Sequence, residues 1–351
     1  MKKILRLGSL IAIVALIAGV LAACSSSDSD SGGGDGDKLK VAFIYVGPVG
    51  DAGWTKKHDD GRKELEKALG SKIEVTYLES VPEGAKSEQT FEKLARDGYG
   101  LIFGTSFGYG DAMLKVAKKY PDVKFEWATG YKTADNLGTY FGAAEEARYL
   151  SGIAAGAAST TGKIGYVAAF PIPEVLRGIN AFTLGAQSVN PNATVQVGPD
   201  KEKQAAESLR DAGVDVLSQH QDSPATGEVA EAAGLKWVGY NDDLERFAPQ
   251  AWLTGAVWDW GPFYIATTKS VLDDTWLVGL APFGPSVTQA TKDQIATKQA
   301  AIVDGSFKPF TGPIEDQNGK VIVPAGQTAS LGDLLGTDYF VKGVIGEIPE
   351  D

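Results

Sequence analysis

Short apolar runs of strand length alternate along the chain with stretches in which apolar positions recur at helical spacing. The first pair is an apolar run at 40–46 and an amphipathic stretch at 54–69, separated by a turn rich in glycine and proline. The unit recurs, with predicted strands at 73–78, 100–104 and 123–128 and predicted helices at 87–96 and 110–119. Nearly continuous apolar strands linked by helices indicate a parallel sheet covered on both faces.

A second series of the same kind follows a long predicted helix at 143–159, whose glycines and alanines favour burial and close packing. Beyond residues 160–162 the predicted strands are 163–168, 194–197, 214–219, 236–240 and 252–258, and the predicted helices are 174–188, 201–212 and 225–233. A further helix is predicted at 261–272, and a short hairpin at 310–323 turns through Asn318 and Gly319. The chain is therefore predicted to be an α/β protein with two doubly wound parallel-sheet lobes joined by a hinge.

The first 23 residues are typical of an export signal. Three basic residues precede an apolar run at 10–21 and small residues before Cys24. A stable membrane span needs about 20 apolar residues, so this segment is predicted to be cleaved. The sequence Leu-Ala-Ala-Cys at 21–24 resembles a lipoprotein box, which implies diacylation of Cys24. The polar segment 25–37 is predicted to be a flexible tether, and an incidental cysteine after an ordinary signal is the alternative.

Composition and charge exclude several classes of protein. The 351 residues include one cysteine, which excludes an intramolecular disulfide and a multi-thiolate metal site. Loss of residues 1–23 removes three positive charges and no negative ones, so the formal net charge moves from -12 to -15. An acidic chain without a basic stripe is not expected to bind nucleic acid. No cofactor is expected.

Ligands of parallel sheets bind beyond the carboxyl ends of the strands, so the residues that follow each predicted strand are candidates for a binding site. Here they are rich in aromatic rings and in groups with amide, hydroxyl or carboxylate edges. Such a set suits a flat heterocycle with polar edges better than an aliphatic molecule or a polyanion. The candidate ligand-binding residues are Asp51, Trp54, His58, Ser106, Phe107, Tyr109, Phe170, His220, Asp222, Asn241, Asp242 and Trp258.

The two histidines do not indicate a metal site or a catalytic centre. His58 and Trp54 lie on one helical face, which fits either a ligand-facing pair or an exposed histidine. His220 follows a predicted strand, which favours a place at the cleft between the lobes. With Asp222 and Ser223 it supplies the residue types of a hydrolase, but a single loop can hardly form a catalytic triad. No glycine-rich nucleotide-binding motif follows the first strand.

Six motifs occur in a characteristic order. They are YVGPVGDAGW at 45–54, GTSFGY at 104–109, ATGY at 128–131, FPIPEV at 170–175, HQDSP at 220–224 and WGP at 260–262. Together they resemble the basic membrane protein family of ABC-transporter solute-binding lipoproteins, in its branch associated with purine bases such as adenine. The resemblance covers residues 41–276. It implies a type I periplasmic-binding fold, in which two lobes joined by crossing strands close on the ligand.

The resemblance also bears on the choice between a base and a nucleoside. Nucleoside binders of the family hold ribose with an acidic residue after the fifth second-lobe strand and a lysine on the next strand. The acidic position is matched by 241–243, but Trp258 stands at about the lysine position, which favours a free base. A Trp258 that packs on the hinge is the alternative. Two insertions usual in this branch, after Val197 and after Trp276, are absent, which thins the second lobe.

Within the cleft that the resemblance implies, Trp54 and Phe107 are expected to stack on the ring of the ligand. Asp51, Ser106 and Asp222 are expected to bind its edges. The expected organisation is a signal peptide at 1–23, an acylated linker at 24–38, a first lobe at 39–160 to which 259–275 return, a second lobe at 161–258, and a C-terminal extension at 276–351 that packs on the lobes.

The sequence thus predicts an extracytoplasmic solute-binding lipoprotein of an ABC importer, anchored to the cell membrane through lipid on Cys24. It binds a purine base or nucleoside by lobe closure and delivers it to the permease. It is expected to be a monomer, to hold no metal and not to be an enzyme. A ligand-sensing lipoprotein without transport and a purine-processing hydrolase are the alternatives.

Overall fold

The computed structural model describes residues 38–199, 201–270, 279–280 and 287–349. The first lobe is built on the strands β1 (Leu39–Ile44), β2 (Ile73–Leu78), β3 (Leu101–Gly104), β4 (Lys124–Ala128) and β5 (Leu137–Tyr140), with the helices α1 (Trp54–Leu69), α2 (Ala85–Arg96) and α3 (Gly110–Lys119). The strands form a parallel sheet in the order β2-β1-β3-β4-β5. Strand β3 is buried along its whole length, as its apolar run predicts.

The second lobe is built on a larger sheet. Its elements are α4 (Ala144–Ala158), β6 (Lys163–Ala168), α5 (Pro173–Val189), β7 (Thr194–Pro199), α6 (Glu202–Asp211), β8 (Val216–Gln219), α7 (Ala225–Ala233), β9 (Lys236–Asn241), β10 (Trp252–Val257), α8 (Gly261–Ser270) and β11 (Gly279–Leu280), of which α8 returns to the first lobe. The short strand β11 pairs antiparallel with β10, and the pairs among β6 to β10 are parallel. The predicted α/β fold of two doubly wound sheets is confirmed.

The helix α4 packs against α5 and against β9 and β10 of the second sheet. A Cβ atom on Gly152 would lie 2.1 Å from the carbonyl oxygen of Phe182, and one on Gly185 would lie 2.0 Å from that of Tyr149. The helix axes approach so closely because these positions lack side chains. The predicted first lobe, 39–160, includes this helix, but the helix lies on the second sheet because its small residues complement α5.

The chain passes between the lobes at 141–143 and again at 258–260. After the second passage α8 packs against α1, and its Phe263 and Tyr264 join Val41 and Phe43 in one apolar cluster. Residues 261–270 therefore lie with the first lobe. The predicted continuation to 275 and the missing insertion after Trp276 fall outside the described residues.

The C-terminal segment packs on the second lobe. It contains α9 (Gln289–Val303), β12 (Ile314–Glu315), β13 (Val321–Val323), α10 (Leu331–Leu335) and β14 (Val344–Ile345). Ile295, Phe310 and Phe340 are buried in the same cluster as α4 and α5. The seven-stranded order is β11-β10-β9-β8-β6-β7-β14, so β14 lies beside β7 at one edge. The predicted hairpin is confirmed, because β12 and β13 pair antiparallel around Gly319.

Candidate functional site

Loops at the carboxyl ends of both sheets meet between the lobes, and three of them carry backbone strain. Ala52, Thr129 and Asn241 have φ angles of 64°, 59° and 71°. Positive φ is uncommon outside glycine, and for the β-branched Thr129 it is a genuine outlier. Strain that the surrounding structure maintains clusters at ligand-binding sites. Among the described residues, these loops are therefore where a ligand-binding site is first expected.

The loop after β1 is held by Asp51. Its carboxylate accepts hydrogen bonds from the backbone nitrogens of Gly53 at 2.9 Å, Thr55 at 2.9 Å and Lys56 at 3.0 Å. Free N–H groups at a helix start are usually satisfied by such a side chain. Asp51, which was expected to bind the edge of a ligand, thus fixes the beginning of α1.

The same loop touches the loop after β8 in the other lobe. A Cβ atom on Gly53 would lie 2.5 Å from the Cα atom of Asp222. The backbone nitrogen of Trp54 donates to Oδ1 of Asp222 at 3.1 Å. That oxygen also accepts from Nδ2 of Asn241 at 2.8 Å, and Oδ1 of Asn241 accepts from Nε1 of Trp258 at 2.9 Å. Four candidate residues from both lobes thus form one hydrogen-bonded chain.

A second contact between the lobes is ionic. The two carboxylate oxygens of Asp242, after β9, lie 2.9 Å from Nζ of Lys56 and 3.4 Å from Nζ of Lys57 on α1. Partial burial raises the pKa of Asp242, but the hydrogen bond from Lys56 and the charge of Lys57 outweigh it and the net shift is downward. Asp242 is therefore a carboxylate that both lysines engage.

An aromatic cluster lies behind these contacts. The ring of His58 stacks on Trp260 at 4.4 Å, and Trp260 stacks on Trp258 at 4.6 Å, while Trp54 meets all three edge-on. His58 is fully buried, and its Nδ1 is hydrogen-bonded to the hydroxyl of Tyr264. Burial lowers the pKa of His58 well below its usual value, so the ring is neutral at pH 7. His58 and Trp258 thus belong to the packing where the lobes meet.

A narrow cavity lies between the lobes. Its first-lobe side carries Phe107 and Tyr131, whose rings stack at 5.7 Å and 27°. Arg177 on the second-lobe side lies 5.8 Å from the ring of Phe141. The lining residues are Phe107, Thr129, Tyr131, Phe141, Pro173, Glu174, Arg177 and Leu335. Aromatic faces with a few convergent polar groups are the usual composition of a small-molecule site.

Ser106 lies beside this cavity, at the end of β3. Its hydroxyl donates to Oε1 of Glu83 at 2.5 Å, and the same oxygen accepts from the backbone nitrogen of Gly108 at 3.0 Å. The indole nitrogen of Trp54 donates to the carbonyl oxygen of Thr105 at 2.7 Å. The Ser106 hydroxyl and the Trp54 indole nitrogen therefore already have partners in their own lobe.

Glu174, in the first turn of α5, forms the polar part of the second-lobe side. Its side chain is 13% exposed, and burial raises its pKa to about 7 against the lowering effect of Arg177 and Arg148. Its Oε1 lies 3.4 Å from Nε2 of His220 and accepts from the hydroxyl of Tyr240 at 3.5 Å. Burial also lowers the pKa of His220 well below its usual value, so this imidazole is neutral at pH 7.

Two candidates lie apart from this group. Tyr109 is fully buried in the first-lobe core, where its hydroxyl donates to the carbonyl oxygen of Val81 at 2.6 Å and its ring meets Phe91 edge-on. Phe170 is 72% exposed on the loop after β6 and does not line the cavity. Cys24 lies outside the described residues.

The structure also adds residues that the candidate set lacked. Phe141 follows β5, a strand that the sequence analysis did not predict. Glu174 follows a predicted strand, which is the rule that selected the other candidates, and Arg177 lies one turn further along the same helix. The same rule could therefore have identified both residues. Within the described ranges no group of three or more His, Cys, Asp and Glu could hold a metal ion. No helix in those ranges is long and apolar enough to cross a bilayer.

Two α/β lobes that enclose a cavity at the ends of their strands define the class of solute-binding proteins. The sequence profile of Bmp, described as ABC transporter substrate-binding protein PnrA-like, matches residues 38–282. The chain belongs to this family, which confirms the resemblance read from the motifs. As an ABC-transporter substrate-binding protein it works outside the cytoplasm and serves a permease.

Individual relatives agree with this assignment. The chain is 48% identical over 332 residues to a purine-binding protein of Brucella abortus (strain 2308), which covers 89% of this chain and 95% of the relative. It is 38% identical over 331 residues to a putative ABC transporter glucose-binding protein of Haloferax volcanii, covering 89% of this chain and 81% of the relative. A solved ABC-transporter solute-binding protein from Aeropyrum pernix K1 has a TM-score of 0.66 at 20% identity, over 77% of this chain and 92% of that one, and shares the fold.

Proposed function

We propose that this protein captures a purine base between its lobes and delivers it to the permease of an ABC importer. The observation that carries the proposal is the cavity between the lobes, with the stacked rings of Phe107 and Tyr131 on one side and Glu174 on the other. A planar base needs ring faces to stack on and polar groups at its edges. The purine-binding relative at 48% identity supports the same ligand class.

Two contacts favour a free base over a nucleoside. Trp258 is 2% exposed and stacked on Trp260, so an indole fills the position where nucleoside binders are expected to hold a cation. Asp242, the other expected ribose ligand, is already engaged by Lys56 and Lys57. A buried ribose hydroxyl without a partner costs about 1 to 3 kcal/mol. Adenine is therefore expected to bind more tightly than adenosine.

Binding and transport are linked by lobe closure. Asp222 and Asp242 in the second lobe both contact the start of α1 in the first, so a ligand that bridges the lobes adds to contacts that already favour their approach. The protein acts as a monomer tethered by a diacyl group on Cys24, which the lipoprotein box at 21–24 supports. It binds its ligand without converting it.

Calorimetry with adenine, adenosine and glucose tests this function. Adenine should bind most tightly, and Phe107→Ala should weaken its binding by about 1 to 3 kcal/mol, the range for stacking of a base on an aromatic ring. Tyr99→Ala is the control, because it removes a ring before β3, at the opposite end of the strand from the cavity. Binding of glucose alone, or conversion of the purine during the incubation, would contradict the proposal.

A further inference from the structure

Arg148, on α4, is a buried cation without a hydrogen-bond acceptor in the described part of the chain. The residue is 0% exposed, and its Nε, Nη1 and Nη2 atoms are all buried and unbonded. Arginine is almost never fully buried unless it is paired, because removing an unpaired ion from water is costly. Packing alone therefore does not account for an arginine at this position.

The guanidinium group is not part of the cavity lining but is connected to it through Tyr240 and Glu174. Its carbon is 3.7 Å from the ring centroid of Tyr240 and 5.6 Å from that of Tyr166. Tyr240 immediately precedes the strained Asn241 at the carboxyl end of β9, and its hydroxyl contacts Glu174, which lines the cavity. An aromatic ring covers a face of a guanidinium, whereas the N–H groups point outward in its plane. Stacking on Tyr240 therefore leaves these donors unused.

The acceptors around Arg148 are engaged with other groups. Glu174 contacts His220 and the Tyr240 hydroxyl, and Glu145 pairs with Nε of Arg177 at 3.2 Å. The net result is a cation on the second-lobe side whose N–H donors make no hydrogen bond to a described residue.

We propose that Arg148 is a ligand-binding residue that donates a hydrogen bond to a ring-nitrogen acceptor on one edge of the bound purine. The inference rests on the proposed function and deepens it by naming the donor that selects the ligand. Purines carry ring nitrogens, and in some cases a carbonyl oxygen, as acceptors in the plane of the ring. Each edge of adenine offers one ring-nitrogen acceptor to which a guanidinium N–H can donate, whereas a purine with a carbonyl oxygen beside N7, such as guanine, offers two acceptors to the fork. A ligand without such acceptors would leave the cation unpaired.

Analogues of adenine that lack one acceptor test the contact atom by atom. Calorimetry on the purified protein in detergent compares adenine with analogues in which N1, N3 or N7 is replaced by C–H. The parent should bind at least one analogue about 10- to 100-fold more weakly than adenine. Arg148→Met should weaken the binding of adenine by a similar factor and abolish the difference in affinity between adenine and that analogue. Arg148→Lys, which keeps the charge but not the fork, should recover part of the loss.

A matched control separates recognition from structural support. Arg62 is also buried and lies 4.6 Å from the ring of Tyr77, but its Nε donates to Asp59 at 2.7 Å. Arg62→Met should lower the melting temperature of the ligand-free protein and leave the ratios among the analogues unchanged. Arg148→Met should leave the melting temperature unchanged or raise it, because the charge it removes is unpaired.

Two results would overturn the inference. In the first, Arg148→Met still discriminates among the analogues as the parent does. In the second, the parent binds every analogue as tightly as adenine, which shows that no acceptor on the ring is read by a donor. A parent protein that binds no purine overturns the proposed function itself, and calorimetry on the parent alone distinguishes that failure from the other two.

Discussion

The two sides of the cavity differ in how their polar groups are satisfied. On the first-lobe side, Asp51 accepts three backbone hydrogen bonds, Ser106 donates to Glu83, and the indole nitrogen of Trp54 donates to a carbonyl oxygen. On the second-lobe side, Arg148 makes no hydrogen bond within the described part of the chain, and burial raises the pKa of Glu174 to about 7. These first-lobe side chains find their partners within their own lobe, whereas Arg148 and Glu174 are ionisable groups held in a buried environment.

We infer that the first lobe provides the shape of the site and that the second lobe discriminates between ligands. The first-lobe side presents rigid ring faces, which every purine can use because each base has a π-face. The second-lobe side holds groups whose partners and protonation a ligand can change, and such groups discriminate between ligands because a missing partner is penalised. We expect substitutions in the first lobe to affect all ligands alike and substitutions in the second to change their ranking.

The largest effect is expected where the two sides touch. Gly53→Ala places a methyl group 2.5 Å from the Cα atom of Asp222, which keeps the lobes apart. Overpacking of this kind costs about 1 to 3 kcal/mol, so all purines should bind about 10- to 100-fold more weakly in calorimetry. Gly50→Ala is the control in the same loop, because a Cβ atom there meets nothing within 4 Å. Unchanged affinity in Gly53→Ala would show that binding does not need this contact.

The next effect tests the second-lobe side through pH. The pKa of Glu174 is raised from 4.5 to about 7. Between these values the folded protein retains a proton that the unfolded chain releases, so this group lowers stability progressively as pH rises through the window. Glu174→Gln cannot ionise and should gain about 1 to 3 kcal/mol on the parent between pH 4 and pH 8 in urea unfolding. The exposed Glu228→Gln is the control. Parallel stability curves for Glu174→Gln and the parent would contradict the assignment.

The smallest effect tests the first-lobe side. Asp51→Ala removes the acceptor for three backbone nitrogens and should lower the free energy of unfolding by about 0.5 to 2 kcal/mol, as for other helix caps. Asp51→Asn keeps one acceptor oxygen and should recover part of the loss. Asp122→Ala, at an exposed position, is the control. If Asp51→Ala changes the order of affinities among purines, Asp51 helps to discriminate between ligands, and the proposed difference between the two sides is wrong.

The sequence was sufficient for the fold and for part of the site. Asp222, Asn241 and Trp258 were predicted because they follow parallel strands, and the structure joins them with Trp54 in one hydrogen-bonded chain. That rule works without side-chain detail because topology alone brings the carboxyl ends of parallel strands together. The strand β5 was missed because Leu137–Tyr140 is short and only half buried.

Side-chain direction was harder to predict. His58 shares a helical face with Trp54, as predicted, but that face packs into the aromatic cluster. Sequence spacing identifies the residues on one face of a helix but does not identify what packs against that face. Tyr109 follows a strand but turns into the core of the first lobe. Arg148 was missed because α4 is predicted as a buried helix from its glycines and alanines, and the contacts of a cation within it depend on strands far away in the sequence.

The position of β14 has a consequence for the order in which the protein is made. The first sheet is complete once residue 140 has been synthesised, whereas β7, which pairs with β6 on one side, gains its second neighbour only when Val344 and Ile345 arrive. Until then the edge of β7 offers unpaired N–H and C=O groups to any extended chain nearby. Ile295, Phe310 and Phe340, which complete the core of the second lobe, also come late. The second lobe, to which we assign ligand selection, can therefore complete its sheet only after nearly the entire chain has left the ribosome.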